Sequence, residues 1–258
     1  MTKVNTEIKG ALATITLNRP ELLNCFDYDM LQQLEEALQT LQLDGNIRAI
    51  IFTGAGEKAF SAGADLKERQ TLTEQEVRRN VAKIRNVFTL VEEMPQPTIA
   101  AINGYALGGG FELALACDLR LASNHAKMGL TEVSWAIIPG AGGTQRLTKL
   151  IGPAYAKELI LTARKIEAER AEELGIINKM VSKEELLTQA ISLANEIMSN
   201  GPLAVTQAKY AIQHGNDVDT YTGLAIEAKA YEVVIPTEDR LEALKAFKEK
   251  RPAHFEGK

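Results

Sequence analysis

The chain has 258 residues, with 29 Lys plus Arg against 34 Asp plus Glu for a formal net charge of −5. At 45% apolar and 24% charged residues it is a folding chain, long enough for one large domain or a domain with an extension, and its net acidity argues against a non-specific nucleic-acid binder. Two cysteines and three histidines, without zinc-ligand spacing, exclude a disulfide scaffold and give no metal site; with no secretory signal and no membrane-length apolar run, a cytoplasmic location and no membrane partner are expected.

Residues 4–8 and the alternating ALATITL of 11–17 predict a hairpin turned at Lys9-Gly10. Asn18-Arg19-Pro20 ends it, because the residue before proline is pushed away from the helical region. Asp27 then caps a helix in which Leu31, Leu34, Leu38 and Leu41 recur at helical spacing, and Asp44-Gly45 stops it. IRAIIFT at 47–53 reads as the next strand. Val77, Val81, Ile84, Phe88 and Val91 mark a second long helix, ended by Pro95 and Pro97 before a short strand over 98–102. Gly108-Gly109-Gly110 leads into an apolar helix over 111–117, and a strand follows over 118–123. Strands alternating with helices indicate an α/β core with helices over the sheet faces.

Beyond residue 140 the pattern is helical, with helices near 143–151, 153–162, 167–174 and 183–199. After Gly201-Pro202 three more are expected, near 203–213, 219–234 and 238–250. The chain thus divides into a core carrying the site, 1–200, and a helical C-terminal region, 201–258, that covers the core or joins subunits.

Two glycine-rich stretches and two acids carry the candidate chemistry. GAGEKAFSAGAD at 54–65 follows a strand, but it is neither a dinucleotide fingerprint nor a P-loop. Ala62, Gly63 and Ala64 are small enough for backbone N–H groups to face a ligand, which would suit an oxyanion; a tight turn of small residues is the alternative. Gly108-Gly109-Gly110 permits close backbone approach at a helix start, where free N–H groups attract negative charge. Glu112 then enters an apolar helix, where a carboxylate is costly unless paired or functional; its bland reading is an acid favoured by the helix dipole. Glu132, in MGLTEV, is the second candidate, with a surface carboxylate as the alternative. Two carboxylates can divide acid and base roles when their surroundings separate their pKa values. No GxSxG elbow exists, so His125 and Asp118 do not suggest a serine triad.

FSAGADL at 60–66, NGYALGGGFELA at 103–114, IPGAGGTQRL at 138–147 and the tail over 238–252 together resemble the enoyl-CoA hydratase/isomerase, or crotonase, family along nearly the whole chain. The resemblance implies an α/β spiral of β-β-α units with a helical C-terminal region. It implies an acyl-CoA thioester substrate, no separate cofactor, and a homotrimer or dimer of trimers. It assigns Glu112 and Glu132 as catalytic acids, Ala64 and Gly109 as the oxyanion-hole amides, Ala62, Gly63 and Lys67 to coenzyme A, and Gly140 as an active-site backbone position. Retention of both acids favours short-chain hydration over double-bond isomerisation. GADLKER at 63–69, AKMGL at 126–130 and DRLE at 239–242 are further similar to the methylglutaconyl-CoA hydratases. That group includes an RNA binder with a Lys-rich helix, but residues 21–46 here hold six acids and no Lys or Arg, so no nucleic-acid partner is expected. Ala243 departs from the family's usual Gly in a helix and bears on packing rather than chemistry.

Overall fold

The structure, a computed structural model, describes residues 2–258. Strands β1 (Val4–Lys9) and β2 (Leu12–Leu17) form the expected antiparallel hairpin. Helix α1 (Tyr28–Leu43) follows, with the Asp27 carboxylate accepting from the Met30 N–H. Then come β3 (Ala49–Gly54), β4 (Ala59–Ser61), the single turn α2 (Leu66–Arg69) and α3 (Glu74–Glu92). The next units are β5 (Thr98–Ile102), β6 (Tyr105–Leu107) and α4 (Gly109–Ala116), and β7 (Leu119–Ser123), β8 (Lys127–Gly129) and α5 (Gly143–Leu161). Strand β9 (Ile166–Glu167), α6 (Ala168–Glu173), β10 (Lys179–Val181) and α7 (Leu186–Met198) complete the core. Helices α8 (Pro202–Gly215), α9 (Thr220–Val234) and α10 (Glu238–Glu249) form the C-terminal region.

The units β3-β4, β5-β6 and β7-β8 each place one strand in each of two sheets before the chain turns into helix. One sheet runs β1-β2-β3-β5-β7-β10, the other β4-β6-β8-β9, and β2–β3–β5–β7–β10 pair in parallel. The corners between sheets need residues without a side chain. A Cβ on Gly54 would stand 2.2 Å from the Ala59 carbonyl oxygen, and one on Gly104 2.3 Å from that of Lys58. The Asn103 side chain ties successive corners, donating to the Gly54 and Gly56 carbonyls at 2.9 Å each.

The larger sheet is buried on both faces, as parallel sheets usually are. Ile50 and Phe52 of β3 point into the core shared with α1, α3 and α4, while Ile51 joins Ile99, Leu121 and Ala190 in a second cluster under α7. That is the strand period of two expressed as two cores.

Sequence patterning locates the long helices and long strands. It misses β4, β6, β8 and β9, which are at most three residues long, and takes β10 for a linking segment. The break expected at Gly152-Pro153 is real: Gly152 is non-helical, with φ 75° and ψ 163°. The apolar helix starts at Gly109, two residues earlier than the sequence suggests. Among the described residues no helix is long and apolar enough to cross a membrane.

Candidate active site

A cavity of about 1130 Å³ lies where the β4–α2 loop, the start of α4, the turn at 132–135 and the loop before α5 converge against α3. Ala62, Gly63, Ala64, Lys67, Gly109, Glu112, Glu132 and Gly140 all line it, so every residue to which the resemblance assigns a site role borders one space. Val77 and Val81, which mark the second long helix in the sequence, belong to its wall.

Ala64 pairs as a parallel bridge with Phe26: the Phe26 N–H donates to Gly63 O at 2.8 Å, and the Asp65 N–H donates to Phe26 O at 2.9 Å. In such a bridge the middle residue's own N–H points the other way, here toward α4. Gly109 is the first residue of α4, where helix geometry leaves the N–H free. The two amides are neighbours. A Cβ on Gly63 would lie 3.1 Å from Gly109 N, and one on Gly109 3.8 Å from Ala64 N. Gly63 also has φ +95°, a left-handed conformation that favours glycine. Among the described residues neither N–H donates to another group of the chain.

A buried arginine fixes this loop from behind. Arg19 pairs with Asp65 at 3.0 Å and Asp27 at 3.2 Å, and donates to the Cys25 carbonyl at 2.7 Å. Asp65 in turn accepts from the Lys67 and Glu68 N–H groups, capping α2. Asn24 locks the same corner, accepting from the Arg19 N–H and donating to the carbonyls of Ala55 and Ala59.

Glu112 is 3% exposed, and its Oε1 accepts from the Ala141 N–H at 2.8 Å and the Gly143 N–H at 2.9 Å. The helix-dipole reading is therefore incomplete: its partners lie on the loop before α5 and on the first residue of α5, not on its own helix. Burial pushes its pKa up, and those two N–H bonds and the charges of Arg146 and Arg69 pull the other way. Glu132 lies against the Gly108 backbone, its Oε1 3.2 Å from where a Cβ on Gly108 would sit. Its Oε2 is buried without a hydrogen-bond partner among the described residues. Burial first, and the Glu112 charge second, push its carboxyl up to about 7. That charge effect shows the two acids are electrostatic neighbours, and a surface carboxylate would not be so displaced. Burial thus raises both acids, and their coupling lets the pair hold a proton near neutrality.

The sequence reading missed Arg69 and Arg85, which line the cavity, and Trp135, Ile137 and Ile138 at its rim. Arg69 stood inside GADLKER and Ile138 inside IPGAGGTQRL, but no spacing rule assigns either to a wall.

The chain matches the family model described as Enoyl-CoA hydratase/isomerase over residues 7–258. It is 43% identical to the short-chain-enoyl-CoA hydratase of Clostridium acetobutylicum over 251 residues, covering 97% of this chain and 96% of that one. It is 45% identical to human mitochondrial methylglutaconyl-CoA hydratase over 255 residues, covering 97% of this chain and 75% of that protein. The crystal structure of enoyl-CoA hydratase from Bacillus anthracis superposes with a TM-score of 0.98 at 50% identity, covering 99% of this chain and 100% of that one. Fold and cavity thus define a crotonase-type α/β enzyme. The chain belongs to the enoyl-CoA hydratase/isomerase family, and its activity is that family's chemistry on coenzyme A thioesters.

Proposed function

We propose that the chain is an enoyl-CoA hydratase that adds water reversibly to a short-chain, crotonyl-CoA-like 2-enoyl-CoA, giving the 3-hydroxyacyl-CoA. The observation that supports this most is the pair of electrostatically coupled carboxylates, Glu112 and Glu132, sharing one cavity with the Ala64 and Gly109 amides. The double bond is conjugated to the thioester carbonyl. Addition at C3 therefore drives negative charge onto the thioester oxygen, and two N–H groups aimed there stabilise that charge more than the ground state. Ionised Glu112 orients a water and takes its proton as oxygen bonds to C3. Glu132, protonated to a substantial degree near neutrality, delivers a proton to C2. Gly140 supplies an active-site backbone position in the same cavity, and Ala62, Gly63 and Lys67, which also line it, are the residues for the adenine end of coenzyme A.

Mass analysis of the product of crotonyl-CoA tests the reading. A thioester heavier by one water supports hydration; an alkene of unchanged mass and shifted position refutes it in favour of isomerisation.

One observation favours a second substrate, 3-methylglutaconyl-CoA, which carries a distal carboxylate. Arg69 lines the cavity, its charge acts on both glutamates, and its guanidinium makes no ion pair among the described residues. A guanidinium is suited to bind a carboxylate through two hydrogen bonds. Under this reading Arg69→Gln lowers kcat/KM for 3-methylglutaconyl-CoA by about tenfold or more beyond any loss on crotonyl-CoA. An equal loss on both substrates rejects it.

For the assembly we infer a homotrimer or a dimer of trimers. Ile212, Tyr221, Leu224, Leu244 and Phe247 leave the C-terminal helices with large exposed apolar surface, which a second copy would cover. A monomeric mass by light scattering rejects this.

A further inference from the structure

We propose that Arg146 is a positioning residue that sets the Glu112 carboxylate through the peptide of Ala141. The inference rests on Glu112 being the base of the hydration described above.

Arg146 does not line the cavity; it stands behind the loop that does. Its Nη1 donates to the Ala141 carbonyl at 2.8 Å, and its Nη2 pairs with Glu92 of α3 at 2.5 Å. Ala141 is therefore gripped from both sides, its carbonyl by the guanidinium and its N–H by Glu112 at 2.8 Å. Gly142 completes the fit. Its φ is +101°, and a Cβ there would lie 2.2 Å from Arg146 Nη1, so the loop passes over the guanidinium with no room for a side chain. Gly143 then supplies the second N–H to Glu112.

The arrangement is a poor one for stability alone. Arg146 Nε is buried without a partner among the described residues, which costs free energy. A partly buried ion pair is also weak support for a fold. What the pair does is hold one peptide at a fixed distance from α3 and orient its N–H at a carboxylate. Arg69 of α2 also bears on Glu112, the Glu112 charge acts on Glu132 of the 132–135 turn, and Arg85 of α3 stands in the same cavity wall. Among the described residues Arg146 alone of these charged groups is joined to Glu112 through a hydrogen-bonded peptide, that of Ala141.

The test is the pH profile of kcat and kcat/KM for Arg146→Gln, Arg146→Lys and Glu92→Gln on crotonyl-CoA, with Glu112→Gln alongside. In Arg146→Gln, kcat should fall about 10- to 100-fold with KM changed by no more than about 2-fold, as for misplacement of a reacting group. Its acidic limb should move to higher pH, because the ionised form of Glu112 loses a nearby cation and a well-aimed N–H. Arg146→Lys, which keeps the charge but not the fork, should return the acidic limb toward wild type while recovering kcat only in part. Glu92→Gln should shift both quantities in the Arg146→Gln direction, by less.

If Arg146→Gln lowers only the melting temperature, with kcat and the acidic limb superimposed on wild type, the positioning role is overturned. A loss confined to KM overturns it equally. Should Arg146→Gln fail to fold, a wild-type kcat and acidic limb in Glu92→Gln overturns it. Unchanged turnover in Glu112→Gln rejects instead the base assignment on which the inference rests.

Discussion

Glu132→Gln should make the protein more stable and much less active, and the stability gain should depend on pH. The carboxyl is displaced from 4.5 to about 7, chiefly by burial and then by the charge of Glu112. At about 1.4 kcal/mol per pH unit, that displacement corresponds to about 3 kcal/mol once the group is ionised. Its side chain is only partly enclosed, so screening by water brings the expected effect to about 1–3 kcal/mol. The sign follows from proton binding. The folded acid holds its proton at pH values where the unfolded one has lost it, so the native state is progressively disfavoured as pH rises between the two values. Glutamine never ionises. The variant should thus match the wild type near pH 4, gain through the interval up to about 7, and hold its full advantage near pH 8. Urea midpoints for both proteins across that range, compared at equal slope, read the difference. Over the same range hydration should fall by about 10²- to 10⁴-fold, the usual worth of a placed general acid. A stability gap that does not change with pH, or a variant weaker than wild type near pH 8, would show that Glu132 is not held against a desolvation cost. Glu112→Gln provides a cross-check: removing the Glu112 charge should lower the Glu132 pKa, visible by carboxyl-carbon NMR.

Arg19→Met should destabilise the fold by about 3–5 kcal/mol, because it strands the buried Asp65 and leaves Asp27 with a weaker set of partners; chemical denaturation measures it. A cost below about 1 kcal/mol would show that the tie behind the Ala64 loop is dispensable. Gly110→Ala and Gly109→Ala should behave differently. At Gly110 the new methyl meets the Ser61 carbonyl oxygen at 2.0 Å, and backbone cannot swing aside, so a loss of more than about 3 kcal/mol or an insoluble product is expected. At Gly109 the nearest obstacle is the tip of Ile84 at 3.1 Å, so the variant should fold but lose kcat/KM, since its methyl stands beside Ala64 N. Thiol labelling should separate the two cysteines. Cys117, fully enclosed and pushed up to about 12 by burial, should react only on unfolding. Cys25, half-buried in the cavity wall, should react slowly and be protected by a bound thioester; labelling of Cys117 first would contradict the packing.

The parts of the fold that could be read were those whose period is long enough to show. Helix α1 announces itself through four leucines and a capping Asp27, and β3 and β5 through unbroken apolar runs between turns. The second sheet could not be read for a physical reason. Its strands have two or three residues, too few to alternate, and they exist because successive spiral turns bring them into register. The two acids were legible because a carboxylate among apolar residues needs a reason. Their proximity was not, since it depends on how the 132–135 turn folds back across the start of α4. Val77 and Val81 were legible as helix positions but not as cavity wall, because a helix spaces its cavity-lining residues as it spaces its core-facing ones.

The working parts of this site are largely backbone, and that decides which substitutions it can bear. In the reaction proposed above, the Ala64 and Gly109 amides, like the Ala141 and Gly143 amides that hold Glu112, would act through atoms every residue but proline possesses. Their placement is what carries information. It is set by glycines whose conformation or crowding admits no side chain, at Gly63 and Gly142, and by arginines behind each loop, Arg19 for one and Arg146 for the other. Each arginine grips a loop carbonyl or cap while pairing with an acid on a neighbouring element, so both loops are tied to rigid parts of the fold. Selection for chemistry should therefore fall as hard on these hidden supports as on the two glutamates, although neither guanidinium need meet the substrate.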